Sequence, residues 1–151
     1  MDLSSPEMKE IVEAVQVLHR GAKAEARARL LALWDQHSAN GARMEMCAIA
    51  HFLADTETDA AEELEWDLRS LDLATGSREA EDLEPLAPEF ESFLPSAHGS
   101  VGNGYRMLGD LERARRHVGF ATARVGVLAD DAYGQLVRGG LRRLRIGLGM
   151  T

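Results

Sequence analysis

The sequence predicts an all-α fold of antiparallel helical hairpins. Three observations carry this expectation. Apolar residues recur at three- and four-residue spacing through most of the 151 residues. Alanine, leucine, arginine and glutamate abound while aromatics make up only 5%, which favours helix over sheet. Runs that alternate apolar and polar residues, the mark of a half-buried strand, are absent.

The elements follow in order. Ser4-Ser5-Pro6-Glu7 is a helix start, with serine as cap and proline in the first turn. Met8, Ile11, Val15 and Leu18 then repeat at helical spacing, and Gly21 ends the run. A second helix carries Ala26, Leu30, Leu33 and Trp34 on one face, up to the turn His37–Gly41. The third carries Met44, Cys47, Ile49, Phe52 and Leu53. Asp55-Thr56-Glu57-Thr58-Asp59 supplies caps for a fourth, with Ala61, Leu64, Leu68 and Leu71 inside.

Residues 75–96 differ in kind. They hold Pro85, Pro88 and Pro95 and six acidic residues, and proline bars a continuous helix through most of the segment. The expectation is a loop with one helical turn around Phe90 to Leu94, exposed and mobile over 76–87 and open to trypsin near Arg78. A fifth helix then runs to about Leu108 and a sixth from Leu111 to about Val127. A seventh starts at Asp130-Asp131 with Leu136, Val137, Leu141, Leu144 and Ile146.

The hairpins repeat. Gly21 and Asp55 lie 34 residues apart at turns, as do Ala26 and Ala60, and Leu30 and Leu64. After an insertion of about 20 residues, Gly109, Ala114 and Val118 fall in the same frame. The stretch His98–Ala121, HGSVGNGYRMLGDLERARRHVGFA, resembles a tetratricopeptide repeat. Val101-Gly102 stands for its Leu-Gly pair, Tyr105 for its tyrosine, Leu108-Gly109-Asp110 for its turn, and Ala114, Val118 and Ala121 for its small or apolar positions. His98 replaces the tryptophan and Gly126 the closing proline. Two earlier copies keep spacing without the Gly-Tyr signature. The chain also resembles short actinobacterial repeat proteins of this kind.

The resemblance implies one domain over 1–151: repeats at about 7–40, 41–74 and 95–128, an acidic insertion at 75–94, and a capping helix at 130–148. It further implies a right-handed α-superhelix in which Gly102 and Ala114 face each other at a helix crossing. Trp34, Leu64, Tyr105 and Leu108 are expected to be substantially buried.

Composition bounds the function. No apolar run reaches the roughly 20 residues needed to span a bilayer, and the N-terminus lacks a basic-then-apolar pattern. One cysteine, Cys47, excludes an internal disulfide, so a cytoplasmic protein is expected. The net charge of −8 argues against nucleic acid as a partner. It is unevenly spread: residues 41–97 hold 15 acidic and 3 basic side chains, residues 98–151 hold 9 basic and 4 acidic. That asymmetry and the open ends of a short stack point to a homodimer, assisted by Arg138, Arg142, Arg143 or Arg145.

Enzymatic signatures are lacking. GSVGNG has neither the dinucleotide nor the phosphate-loop form. Cys47 and His51 could supply two metal ligands where three or four are needed. No nucleophile motif occurs, and the cluster Glu62, Glu63, Glu65, Asp67 reads as a solvated helix face. The expectation is therefore a non-enzymatic module without cofactor or metal. By the resemblance, it binds a peptide or partner protein segment in a concave groove. The groove side would carry Ile11, Val15 and His19 from the first repeat, Glu45, Ile49 and Phe52 from the second, and Asn103, Arg106 and Met107 from the third. Ile11 and Val15 stand where carboxylate-clamping members have lysine and asparagine, which argues against that clamp. The alternative is a small-ligand-binding or hydrolytic protein with its site near the glycine-rich helix 98–107.

Overall fold

A computed structural model describes residues 3–78 and 84–150. They form seven α-helices and no strand: α1 (Lys9–His19), α2 (Lys23–Asn40), α3 (Arg43–Ala54), α4 (Ala60–Thr75), α5 (Leu94–Met107), α6 (Leu111–Ala123) and α7 (Ala132–Gly147). Single 3-10 turns precede α1 and α5 and follow α6. None of these helices is long and apolar enough to cross a membrane.

Local chemistry sets the boundaries. Pro6 opens the first turn, where its missing N–H costs nothing. Asp59, Asp110 and Asp131 cap α4, α6 and α7, their carboxylates accepting from the backbone N–H of Glu62, Arg113 and Gly134 at 3.1, 3.1 and 2.8 Å. Gly109 turns the α5–α6 hairpin at φ 82°, a left-handed conformation that side chains other than glycine resist. Helix α6 stops at Ala123 rather than about Val127. The residues beyond it, Val125-Gly126-Val127, are poor helix formers and tighten into a 3-10 turn.

Short connections fold each helix back on its predecessor, pairing α1 with α2, α3 with α4 and α5 with α6. Successive pairs meet through α2 on α3 and α4 on α5, and α7 packs against both α5 and α6. The core has three parts. Met8, Ile11, Leu30, Ile49 and Leu53 fill the first. Cys47, Leu71, Phe90, Phe93, Leu94 and Val101 fill the second, and Ala114, Val118 and Leu148 the third. The positions related by 34 residues, Leu30 and Leu64, and their counterpart Val118 are all buried.

Glycines govern the approach to α5. A Cβ at Gly102 would lie 2.8 Å from Val118 Cγ2 and 3.2 Å from the Ala114 carbonyl, so α6 meets α5 at the expected crossing. A Cβ at Gly104 would meet Leu64 at 2.8 Å, and one at Gly99 would meet Leu141 at 3.1 Å.

Several expectations need correction. Leu108 is 49% exposed, because it caps α5 at the tip of the hairpin. Trp34 and Tyr105 are half-buried, while Leu64 is buried. Trp34 meets the edge of Trp66 at 5.1 Å, and Trp66 donates to Glu57 at 3.1 Å. Glu57 also pairs with Arg27, tying α2 to the start of α4. The helical turn expected around Phe90 to Leu94 is present as a 3-10 turn over Pro88–Phe93 that runs into α5, but Phe90 and Phe93 within it are buried rather than exposed on a loop. Pro95 sits in the first turn of α5. Arg78 is half-buried and paired with Glu65 at 2.7 Å, which disfavours cleavage there. Residues 79–83 of the expected mobile stretch lie outside the described residues.

These contacts rank the glycine substitutions. Gly134→Ala would set Cβ 2.0 Å from the Ala129 carbonyl and should be severe. Gly102→Ala meets backbone that cannot yield, and Gly102→Leu should cost roughly 1–3 kcal/mol or more. Gly104→Ala meets a side chain that can move, and Gly119→Ala meets nothing within 4 Å. The latter should gain up to about 1 kcal/mol from helix propensity. Chemical denaturation of the four alanine variants checks this order.

Candidate functional site

Helix α5 reads LPSAHGSVGNGYRM. Its helical spacing aligns Ser96, Gly99, Ser100, Asn103 and Arg106 along one side. Small residues there leave room beneath α7, whose Val137, Gly140, Leu141, Arg143, Leu144 and Gly147 form the facing side. Asp55 from the end of α3, with Glu63 and Asp67 from α4, closes the third side. The result is an open groove of about 520 Å³, within the size range of ligand sites.

The walls differ in charge. Asp67 is only 5% exposed. Burial, then the neighbouring carboxylates of Asp55 and Glu63, hold its carboxyl well above the usual range. Its closest basic neighbour is His51, with Nδ1 3.9 Å from Oδ1. Burial pushes His51 down, its Nδ1 has no hydrogen-bond partner, and its ring lies edge-on to Phe52 and Phe93. The two groups therefore sit side by side without forming an ion pair at neutral pH. Glu63 is also pushed up, by burial and then by Asp55. On the other wall, the Asn103 side-chain oxygen accepts from Arg106 Nε and Nη2 at 3.1 and 2.9 Å. Arg143 is exposed and has no acidic partner among the described residues.

The sequence-predicted site residues divide. Asn103 and Arg106 line this groove. Ile11, Val15 and His19 border a separate hollow beside α1; Ile11 is wholly buried there. Ile49 is wholly buried in the first core, and Phe52 packs against that core. Glu45 is half-buried on α3 and Met107 is exposed at the end of α5. The nine residues thus do not form one continuous surface.

Other reactive groups are held inside. Cys47 is buried, its thiol contacts the Ser70 hydroxyl at 3.4 Å, and burial pushes its pKa up to about 12. Ser70 in turn donates to the Cys47 carbonyl at 2.8 Å. Such a thiol is inert. Among the described residues no group of three or more His, Cys, Asp or Glu is placed to hold a metal ion. His98 and His117 meet across the α5–α6 crossing, Nδ1 to Nδ1 at 3.1 Å, both buried. One must donate and the other accept, so the pair is stable only when at least one ring is neutral. Tyr105 stacks on His117.

Asp67 and its neighbours are the residues that sequence reasoning missed. The sequence places Asp67 on a solvated face, yet it is buried. The signal was in the spacing: it lies three residues after Leu64 and four before Leu71, on the apolar stripe of α4. Comparison with protein-family models, curated proteins and solved structures gave no match.

Two pH effects of opposite sign follow. Burial, then Arg116, lowers His117 to about 4 from its ordinary 6.5. The unfolded chain therefore binds the extra proton first. This contribution to stability is complete above pH 6.5 and is lost as pH falls toward 4, at up to about 1.4 kcal/mol per pH unit. His117→Asn should flatten that part of the profile. Asp67 acts the other way, because its raised pKa favours the protonated form in the fold. Asp67→Asn should raise stability at neutral pH by about 1 kcal/mol or more, and the gain should vanish as pH falls toward the unfolded value of 3.8. Thermal melts from pH 4 to 8 measure both.

Proposed function

We propose that the chain is a protein-interaction module, a short tetratricopeptide-type stack that binds an extended segment of a partner protein. The segment lies in the groove between α4, α5 and α7. The observation that carries this reading is the groove itself. It runs along the polar side of α5, it has acidic residues on one wall and arginines on the other, and Asn103 holds Arg106 toward it. Opposed charges of this kind fix the direction of a bound chain. The burial of Leu30, Leu64 and Val118 at matching hairpin positions supports the repeat frame, and the packing of α7 on α5 and α6 supports its role as cap.

A second reading has one observation in its favour. The groove lies on the glycine-rich helix, where Gly99 and Ser100 form part of its lining, and its volume suits a small ligand as well as a short segment. Self-association uses a different surface. Leu136 and Ile146 on α7 are 69% and 72% exposed. Arg138 does not contribute to it, because its guanidinium already donates to the carbonyls of Val125, Leu128 and Ala129.

Capture from the native cell on immobilised protein tests the main reading. A partner should be retained by the wild type and lost by Arg106→Glu, which reverses one wall of the groove. Retention by both would contradict a groove-bound segment. Native mass spectrometry of the purified protein that finds a bound small molecule, with no protein captured, would favour the second reading.

A further inference from the structure

We propose that the acidic wall of the groove is a subsite for one organic cation, the alkylammonium or guanidinium group of a lysine or arginine side chain, with Asp67 as its principal acceptor. This rests on the reading of the groove as a segment-binding site and specifies what the segment carries.

Asp67 supplies the first argument. A carboxylate has room for about four donors, yet among the described residues none donates to Asp67. It is 5% exposed, and it borders the groove. Buried polar groups without partners are uncommon, and each calls for a reason. A donor arriving through the groove is such a reason. His51 does not serve, since its Nδ1 stands 3.9 Å away, beyond hydrogen-bond reach, and burial favours its uncharged ring.

The surroundings select the class of ligand. Asp55 and Glu63 lie on the same wall and deepen the negative potential. Ser96 and Ser100 line the groove as further hydroxyl acceptors. A metal ion is a poor fit, because no three His, Cys, Asp or Glu among the described residues converge on one point. An organic cation needs no such convergence, because its N–H donors are spread in space. Arg106 and Arg143 border the same groove and repel a second positive charge. A single cation next to a carbonyl or carboxylate therefore fits better than a polycation.

The cation needs the ionised carboxylate, so below the raised titration of Asp67 binding releases a proton. The groups that face Asp67 are His51 and Asp55 from α3, Glu63 from its own helix, Arg106 from α5 and Arg143 from α7. The two carboxylates oppose its ionisation, and the two arginines border the groove beyond it. Affinity for the cation should rise with pH through the elevated titration of Asp67.

Titration of isotope-labelled protein, followed by NMR, tests the subsite with three probes. Nα-acetyl-lysine carries ammonium and carboxylate, N-acetylcadaverine carries one ammonium alone, and Nα-acetyl-norleucine carries carboxylate alone. The expected result is that Nα-acetyl-lysine shifts the amides of Asp67, Ser100 and Asn103 while the norleucine probe leaves Asp67 unmoved. Asp67→Asn should weaken the lysine probe at least about tenfold, the effect of losing one charge-assisted hydrogen bond. Its helical circular dichroism should match the wild type, and Asp67→Glu should restore part of the affinity. N-acetylcadaverine binding as tightly as Nα-acetyl-lysine would keep the cation site but point to a free amine as its source. Equal shifts from the lysine and norleucine probes, no binding by either ammonium probe, or lysine binding that survives Asp67→Asn would overturn the subsite. None of these depends on partner capture. A captured partner with no lysine-probe binding would leave the groove reading standing without the cation.

Discussion

Helix α5 lies at the centre of the molecule with glycine at three of its closest contacts with neighbouring helices. Gly102 admits α6 to within contact of the backbone, Gly104 receives Leu64 of α4, and Gly99 receives Leu141 of α7. Each glycine faces a different neighbour, so the helix touches three others at once. The local cost is real. Glycine is worth about 1 kcal/mol less than alanine inside a helix, and three such residues within six would weaken an isolated segment. Tertiary packing overrides that cost, as it commonly does for helices in globular proteins. Pro95 in the first turn and Gly109 at the hairpin tip then fix where the helix starts and ends.

The groove follows from the same constraint. The lack of side chains that lets α7 approach α5 also leaves open space beside the contact, bounded by Ser96, Ser100 and Gly140. Into this space the chain turns a carboxylate that it does not satisfy internally. Burial and like charge make the ionised form of Asp67 costly, and His51 does not offset it. Other buried polar groups are paired, among them Cys47 with Ser70, Trp66 with Glu57, and His98 with His117 through their Nδ1 atoms. His51 Nδ1, beside Asp67, and Arg78 Nε have no hydrogen-bond partner among the described residues. Stability given up at one place for a binding task is a common pattern in proteins.

Much of the architecture was legible in the sequence. Helical periodicity gave seven helices, and aspartates at 59, 110 and 131 with glycines at 21, 41 and 109 marked their ends. The Gly102–Ala114 crossing followed from the repeat frame, and its close approach is present in the structure. Three things were hidden. Proline in 75–96 masked the burial of Phe90 and Phe93, because a 3-10 turn leaves no long periodic pattern. The repeat frame puts Leu108 in the wedge beside the Gly102–Ala114 crossing, yet its place at the hairpin tip exposes it. The candidate site was the least legible. Asn103 and Arg106 were visible by spacing on one helix, but their partners across the groove come from α3, α4 and α7. The pairing of His98 with His117 was invisible for the same reason, since their separation of 19 residues has meaning only once the hairpin closes.

Helix α5 is the element on which the others depend, despite its weak intrinsic helicity. Native-state hydrogen exchange resolves this directly, because it reports the opening free energy of each backbone amide. The amides of α5 should exchange with the slowest set, together with those of α4 and α6 at the crossing, and only by global unfolding. Exchange of α5 ahead of α1 and α3, through a local opening that leaves the other helices protected, would contradict the claim that its glycines hold the fold together.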